Sequence, residues 1–301
     1  MLNLKTGVHN MKDKSLVVSL ILIAILLFFV IFFLVPFTYG VFISFTNWDG
    51  IAKHYDIIGF GNYVRMFNDK RFHTSVFTTL KYATVLLCFT LLFGYINAKV
   101  IHHLHWLQSR TLFILFLPYT ITPVISCILW NQLYIGLFPQ IGKKLGVIFL
   151  QSNLLANKNT ALYAVSFVDL WMLIPYAMLL FNSALNAIPQ ELIESAKLEG
   201  ASTFQIAVYI EFPYILSTAG MLTTIVLSNA LMKIDTIMTL TSGGPARATE
   251  TLYYTIYRNS TEELHYAYGL AEGMIVSLFC VLVFLIVNKI MVGKYTSDIN
   301  L

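Results

Sequence analysis

The chain has 301 residues, of which 57% are hydrophobic and only 11% are charged, and its mean hydropathy is +0.73. A soluble domain of this size could not shield so much apolar surface from water, so the composition excludes an ordinary soluble enzyme and indicates a membrane protein. The formal net charge of +4 comes without a basic run or stripe, so we expect no nucleic-acid partner and a lipid bilayer instead.

Six almost uncharged runs are long enough to cross a hydrocarbon core about 30 Å thick as helices. The first, Leu16 to Val35, is longer than the apolar part of a usual signal peptide and no small-residue cleavage site follows it, so we predict a retained helix. In lipid, backbone polar groups must be satisfied within each span, so every run should be helical. The other runs are Tyr82 to Ala98, Thr111 to Tyr134, Ala161 to Phe181, Tyr214 to Met232 and Gly273 to Asn288.

The sequence therefore predicts an all-α, polytopic membrane protein with both termini on one side. Lys5, Lys12 and Lys14 precede the first span and favour cytoplasmic termini. Basic residues also occur in loops that would then lie outside, so the charge count alone does not decide the orientation. We predict a cytoplasmic tail at residues 1–14 and one transmembrane domain at 15–301, with its core at about residues 74–290.

A polar stretch, ESAKLEGASTFQIAVYIEFP, follows the fourth span at residues 194–213. Pro189 suits the first turn of a helix, where its missing N–H costs nothing, and Gly200 is a natural helix stop. Ser202 and the residue three positions later, Gln205, match a capping box and predict a second helix. The loop at 183–213 is thus expected to be a helix, a break and a second helix.

Pro213 should mark the end of that second helix or a kink into the fifth span. Glu194 and Glu199 in this loop would be repelled by anionic lipids on the cytoplasmic side, so they suit a docking site for a basic groove of another protein. An ordinary interfacial amphipathic loop is the alternative interpretation.

The spacing in this loop resembles the "EAA" loop of bacterial ABC importer permeases. That pattern reads Glu-Ala-Ala, three residues, Gly, nine residues and Ile-x-Leu-Pro, and this chain departs from it only at Ser195 and Phe212. We call residues 183–213 the coupling loop. The residues that the resemblance implies in contact with an ATPase are Glu194, Ser195, Ala196, Glu199, Gly200, Ala201, Ile210 and Pro213.

Other stretches resemble the carbohydrate-type permeases of this group, of the maltose and glycerol-phosphate kind. They carry the resemblance across most of residues 16–290. These stretches are SFTNWDG (44–50), GFGNYVRMFNDKRF (59–72), FLPYTITPVISCILW (116–130) and LTSGGPARATETLYYTIY (240–257).

The resemblance implies the transmembrane domain of a type I ABC importer for a sugar of oligosaccharide size. Its implied partners are a second homologous permease, two ATPase subunits that bind ATP and Mg²⁺, and an extracytoplasmic sugar-binding protein. No G-x-x-x-x-G-K-[ST] motif occurs in the sequence, so we expect no enzyme and no cofactor in this chain. The alternatives are a permease for a non-sugar solute such as glycerol phosphate or amino acids, a membrane enzyme and a scaffold.

Polar and aromatic residues within or beside the spans are the candidates for the solute path, because charged groups are costly in lipid and sugars offer flat C–H faces to aromatic rings. For Asp169 a hydrogen bond between packed helices and a position on the path are equally open. Lys233 and Asp235 are also expected to pair or to reach the membrane interface, and Asn229 to bond to a neighbouring helix. The candidates are Asp169, Trp171, Asn229, Lys233, Asp235 and Trp130.

Gly243-Gly244-Pro245 predicts a sharp bend in an outer loop, where the resemblance implies contact with the delivered solute or its binding protein. His102, His103 and His105 lie close together, but no second histidine or cysteine cluster complements them. Zinc needs three or four ligands, so we predict no metal site.

Overall fold

The computed structural model describes residues 18–102 and 108–298, and the chain divides into two compact units. One unit contains the described residues up to Met66 together with Asn259–Met274; the other contains Phe67–Arg258 and the described residues from Ile275 onward. Within the described residues, six helices are long and apolar enough to cross a membrane. The predicted all-α fold with six spans is confirmed, whereas the predicted tail at 1–14 lies outside the described residues.

Six of the helices, α1, α3, α5, α6, α8 and α11, contain the candidate spans. In chain order the helices are α1 (Val18–Ile43), α2 (Gly61–Asn68), α3 (Lys70–His102), α4 (Gln108–Thr120), α5 (Pro123–Leu145), α6 (Ala161–Asn186), α7 (Gln190–Leu198), α8 (Thr203–Leu231), α9 (Asp235–Leu240), α10 (Leu252–Tyr257) and α11 (Tyr266–Asp298).

In the first unit, a buried asparagine connects two of the stretches that carry the family resemblance. The side-chain amide of Asn62 donates to the carbonyls of Ser44 (2.9 Å) and Thr46 (2.7 Å). The Ser44 and Tyr63 hydroxyls are 2.7 Å apart. The residues after α1 are therefore held against the start of α2 by polar contacts with defined partners.

The core of the second unit lies where α3 packs against α6, its most buried helix. Gly94 permits this approach, because a Cβ at that position would stand 2.6 Å from the Cβ of Ala177. α3 begins well before the predicted span at Tyr82. Its first turns contain buried Ser75 and Thr79, whose hydroxyls donate to carbonyls of their own helix, so these polar side chains are satisfied in the core.

The third predicted span, Thr111 to Tyr134, is not one helix. α4 ends at Thr120 and α5 starts at Pro123, with Thr122 in an extended conformation between them (φ −63°, ψ 145°). The residue before a proline is disfavoured in the α region, which explains the break at this point.

Wide turns with i→i+5 hydrogen bonds accommodate three prolines inside long helices. In each case the residue just before the proline donates its N–H to the carbonyl five residues back, which leaves room for the proline ring. Of the two expectations for Pro213, an end of the second helix of the coupling loop is wrong, because α8 continues through it, and a kink stays a prediction. The three turns are Val30–Leu34 before Pro36, Leu133–Leu137 before Pro139 and Ala207–Glu211 before Pro213.

Candidate functional site

The coupling loop bends sharply between α7 and α8 at Gly200. This glycine has φ +86°, a left-handed conformation that side-chain-bearing residues adopt only at a cost. The N–H of Gly200 donates to the carbonyl of Lys197 (3.1 Å) and the N–H of Ala201 to that of Ala196 (2.9 Å). This is the Schellman pattern that ends helices, so the predicted stop at Gly200 is confirmed.

The second helix starts with the predicted capping box. The N–H of Ser202 donates to Gln205 Oε1 (2.8 Å), and the N–H of Gln205 donates to Ser202 Oγ (3.3 Å). Pro189 differs slightly from its expected place: it is the N-cap of α7, just before the first helical turn, because the helix begins only at Gln190. On both sides of the bend, backbone groups at the helix ends are thus hydrogen-bonded.

A glutamate at the base of the coupling loop anchors the loop to α3. Glu211 Oε2 lies 2.8 Å from Lys99 Nζ and accepts a hydrogen bond of 2.8 Å from the Tyr95 hydroxyl. The side chains of Lys99 and Glu211 are only 24% and 12% exposed. The sequence analysis assigns Glu211 no role, because its partners lie more than a hundred positions earlier in the chain.

One face of the coupling loop packs on the core of the second unit while the other is open. Ile193 and Ile210 pack against an apolar cluster that contains Phe181 and Ile215. Of the residues matched to the family pattern, Glu194, Ser195, Glu199, Gly200 and Pro213 are exposed, and Ala196, Ala201 and Ile210 are partly buried.

Large apolar side chains stand at the tip of this open face. Leu198 is 90% exposed, and Phe204 and Tyr209 are each 76% exposed. Exposed apolar residues beside acidic ones are typical of a surface that another protein covers.

The histidine run next to the coupling loop is only partly described. His102 Nδ1 lies 2.9 Å from Asn186 Oδ1, so its ring joins the end of α3 to the end of α6. His103 and His105 lie outside the described residues. Within residues 18–102 and 108–298 there is no group of three metal-ligating side chains.

In the first half of α6, Asp169 is buried at the centre of a polar network. Its Oδ1 lies 3.0 Å from Lys233 Nζ and accepts a hydrogen bond from the Thr236 hydroxyl (2.8 Å), while Oδ2 accepts one from the Tyr82 hydroxyl. The network joins α3, α6 and the segment that follows α8. Asp169 therefore joins packed helices, which was one of its two alternatives, and because it also lines a cavity the position on the path stays a prediction.

The same network borders a cavity of about 320 Å³ in the second unit. Asn229 and Lys233 line it on one side, and the stacked rings of Tyr119 and Tyr176, 5.0 Å apart, line the other. Asp235 is exposed at the start of α9. The partner of Lys233 is therefore Asp169 and not Asp235. The predicted cluster of Asn229, Lys233 and Asp235 is thus only partly brought to the cavity.

Trp130 and Trp171 belong to an aromatic cluster. Their rings lie 5.6 Å apart, and Trp130 also contacts Phe167 edge to face at 5.1 Å. Tyr134 packs in the same cluster and its hydroxyl donates to the carbonyl of Ala164 (2.9 Å). Neither tryptophan lines the cavity beside Asp169: Trp171 lines a separate apolar cavity of about 570 Å³, and Trp130 lines another of about 490 Å³.

The predicted bend at Gly243-Gly244-Pro245 lies in the segment between α9 and α10. Gly243 has φ +79°, and a Cβ there would stand 2.8 Å from the ring of Tyr254. The hydroxyl of Thr249 donates to the carbonyl of Gly244 (2.8 Å). The bend is therefore closely packed, which is why two glycines occur there.

A buried glutamate that sequence reasoning missed holds the segment between α9 and α10 to α3. Glu250 is 2% exposed, and its Oε1 accepts from Arg71 Nε at 2.9 Å. Arg258 and Arg247 approach the same carboxylate at 3.7 Å. The feature of the sequence that could have indicated these ion pairs is the presence of two arginines and one glutamate between positions 247 and 258.

The comparisons with known proteins agree with this arrangement. A family model described as "Binding-protein-dependent transport system inner membrane component" matches residues 15–291. The chain belongs to this family. It is therefore a permease subunit of an ABC transporter and a multi-pass membrane protein, and ATP hydrolysis takes place in a separate chain.

The relatives of this permease include proteins named for the transport of sugars and one named for sn-glycerol-3-phosphate. The multiple sugar-binding transport system permease protein MsmF of Streptococcus mutans is 30% identical over 261 residues, 86% of this chain and 89% of that one. The probable starch degradation products transport system permease protein AmyD of Thermoanaerobacterium thermosulfurigenes is 28% identical, over 81% and 83%. The sn-glycerol-3-phosphate transport system permease protein UgpA of Shigella flexneri is 30% identical, over 77% and 78%.

Solved structures share the fold of this permease. A bacterial ABC transporter involved in the import of the acidic polysaccharide alginate superposes with a TM-score of 0.80 at 20% identity, covering 93% of this chain and 96% of that one. The same type of transporter in complex with alginate pentasaccharide-bound periplasmic protein gives a TM-score of 0.79 at 19% identity, covering 92% and 94%.

Proposed function

We propose that this permease imports a carbohydrate of oligosaccharide size across a bacterial plasma membrane. It pairs with a second homologous permease, and two ATPase subunits that bind ATP and Mg²⁺ dock on the coupling loops. A sugar-binding protein outside the cell delivers the solute. The names of the relatives MsmF and AmyD support the carbohydrate class.

The coupling loop is the observation that carries this proposal. It presents Leu198, Phe204 and two glutamates on an open face, while Glu211 and the packed isoleucines hold its base to the helices. Closure of the ATPase dimer on ATP moves this rigid element, and the attached helices tilt with it. ATP and the loaded binding protein shift the transporter between its inward- and outward-open forms through their different affinities for the two.

The proposed docking fixes the orientation. ATPase subunits are cytosolic, so the coupling loop and both termini face the cytoplasm. The bend at Gly243-Gly244-Pro245 then faces the exterior, because it lies beyond the other end of α8. Contact of that bend with the delivered solute or its binding protein is part of the proposal.

The cavity beside Asp169 supports a neutral sugar over the alternative solutes. The charge of Lys233 is compensated by Asp169, so the pair gives the cavity no net charge for a phosphate or a carboxylate. The stacked Tyr119 and Tyr176 offer flat apolar faces, and Asn229 offers hydrogen bonds to hydroxyl groups. The volume of about 320 Å³ is at the small end of ligand sites, consistent with a second permease that completes the path.

Leu198→Glu tests the docking surface. We expect this variant to lose co-purification with the ATPase and ATP-driven uptake of labelled oligosaccharides in proteoliposomes, because a charge replaces an apolar contact. Leu145→Glu is the matched control, since Leu145 is 69% exposed at the far end of α5. Wild-type uptake by Leu198→Glu would contradict the docking claim, and uptake of glycerol phosphate or amino acids in place of sugars would contradict the solute class.

A further inference from the structure

An apolar cavity of about 490 Å³ lies between α5 and α6 in the second unit. Trp130, Tyr134 and Phe138 line it from the second half of α5, and Tyr163 and Phe167 line it from the first two turns of α6. Both helices contain candidate membrane spans, so the cavity lies near the ends of two spans. Tyr163 and Phe167 are 57% and 50% exposed, so the cavity opens to the surroundings of the helices.

The cavity offers few polar groups to a ligand. The hydroxyl of Tyr134 already donates to the carbonyl of Ala164 (2.9 Å), and that of Thr160 donates to the carbonyl of Leu154 (2.6 Å). A sugar in this place would bury hydroxyl groups without hydrogen-bond partners, which is costly. A hydrocarbon chain has no such requirement, and the volume is within the range of small-molecule sites. The cavity is therefore suited to a hydrocarbon chain.

A tight turn places the cavity next to the end of α5. The helix ends at Gly146, which has φ +69°, and the N–H of Val147 donates to the carbonyl of Gly142 (2.9 Å). A Cβ at Gly142 would stand 2.6 Å from the carbonyl carbon of Leu150, so the chain folds back closely on the last helical turn. Phe149, which also lines the cavity, is thereby held beside the end of α5.

Two lysines give the end of α5 a positive charge. Lys143 and Lys144 lie in its last turn, and both are exposed. The sequence contains no acidic residue between Asp69 and Asp169, and the carboxylate of Asp169 is paired with Lys233. Within the described part of the chain, neither Lys143 nor Lys144 forms an ion pair. Lysines at the end of a membrane span attract anionic headgroups.

We propose that the cavity and the two lysines together bind one anionic phospholipid. An acyl chain of the lipid occupies the cavity, and Lys143 and Lys144 contact its phosphate group. The site has an apolar part beside a cationic part, which matches the chain and the headgroup of such a lipid. In the proposed orientation the lipid belongs to the outer leaflet, because α6 separates this end of α5 from the coupling loop. The inference does not depend on the transported solute.

The first test titrates the complete, delipidated transporter with lipids and counts bound molecules by native mass spectrometry. We expect dioleoylphosphatidylglycerol to bind about tenfold more tightly than phosphatidylcholine with the same acyl chains. Dihexanoylphosphatidylglycerol should bind only weakly, because it has the same headgroup but chains too short to fill the cavity.

Variants of the lysines test the headgroup contact in the same titration. Lys143→Gln combined with Lys144→Gln should weaken binding of dioleoylphosphatidylglycerol about tenfold and leave binding of phosphatidylcholine unchanged. Lys53→Gln combined with Lys81→Gln is the control, because it removes two exposed lysines that do not line the cavity. The control should bind both lipids like the wild type.

A photoreactive lipid tests the position of the chain. Phosphatidylglycerol with a diazirine in its acyl chain should crosslink to residues 130–138 or 163–167. Crosslinks confined to other helices would show that something else, such as the second permease, covers the cavity, and would overturn the inference. Wild-type affinity in the double lysine variant, or equal binding of phosphatidylcholine, would exclude the headgroup contact. Equal binding of the short-chain lipid would exclude the role of the cavity.

Discussion

The ion pair between Lys99 and Glu211 should determine how firmly the coupling loop moves with the helices. Replacing Lys99 by Met removes the cation 2.8 Å from a carboxylate that is only 12% exposed. A buried hydrogen bond to a charged group contributes about 1.5–3 kcal/mol to stability. Because Lys99 is partly exposed, we expect Lys99→Met to lower the free energy of unfolding by about 2 kcal/mol. On the scale of soluble domains of about 150–250 residues, this corresponds to a fall of roughly 4–8 °C in melting temperature.

The assay combines thermal unfolding of the purified transporter with the ratio of sugar transported to ATP hydrolysed. Lys99→Met should lower both quantities, because a loosened loop transmits less of the ATPase motion. Lys99→Met, Glu211→Gln and the double variant form a cycle that isolates the pair. Lys81→Met, an exposed lysine on the same helix, is the control. A coupling energy of zero in the cycle, or equal losses in the Lys81 control, would refute the reasoning.

Two further substitutions test the bend and the buried carboxylate. At Gly200 no neighbouring atom lies within 4 Å of an added Cβ, so a substitution is opposed only by the left-handed φ. Gly200→Val should lower the free energy of unfolding by about 1–2 kcal/mol and abolish most ATP-driven uptake, whereas Gly200→Asn should retain more uptake. Equal uptake by the two variants would contradict this. Asp169→Asn leaves Lys233 without its carboxylate and should cost about 1.5–3 kcal/mol in thermal unfolding. Adding Lys233→Met should recover part of that loss, and its failure to do so would show that the pair is not coupled.

The features of the coupling loop that sequence reasoning predicted correctly are all local. The stop at Gly200 and the capping box of Ser202 and Gln205 each depend on residues within a few positions, whose hydrogen bonds form within one helix end. The six spans follow from the same kind of local signal, since uninterrupted apolar runs fold as helices in lipid.

The interactions that could not be predicted join residues far apart in sequence. Arg71 and Glu250 are separated by 179 positions, and Lys99 and Glu211 by 112. Tyr82 joins the Asp169 network from another helix, 87 positions away. A single sequence shows that these residues are polar in apolar surroundings, but only the packing of helices determines which of them meet.

The sequence analysis missed a helix break at one proline and allowed for a helix end at another that does not occur, because the effect of a proline depends on the turn before it. Pro123 begins a new helix after an extended residue and divides the third predicted span. Pro213 does not end a helix, as one of the two expectations had it, because α8 continues through it after a wide turn, whereas the expected kink stays a prediction. Whether a wide turn forms depends on tertiary packing, here including the contacts of Glu211 within that turn.

The continuity of α8 has a mechanical consequence for the proposed transport cycle. α8 extends from the capping box at Ser202, through Pro213, to Leu231, so one helix connects the coupling loop with Asn229 at the cavity. At a rise of about 1.5 Å per residue its 29 residues span roughly 43 Å. A hinge at Pro213 would absorb a tilt of the coupling loop before it reached the cavity. Because α8 continues through Pro213 as one helix, a tilt of the coupling loop in the proposed cycle is passed along α8 to Asn229 beside the cavity.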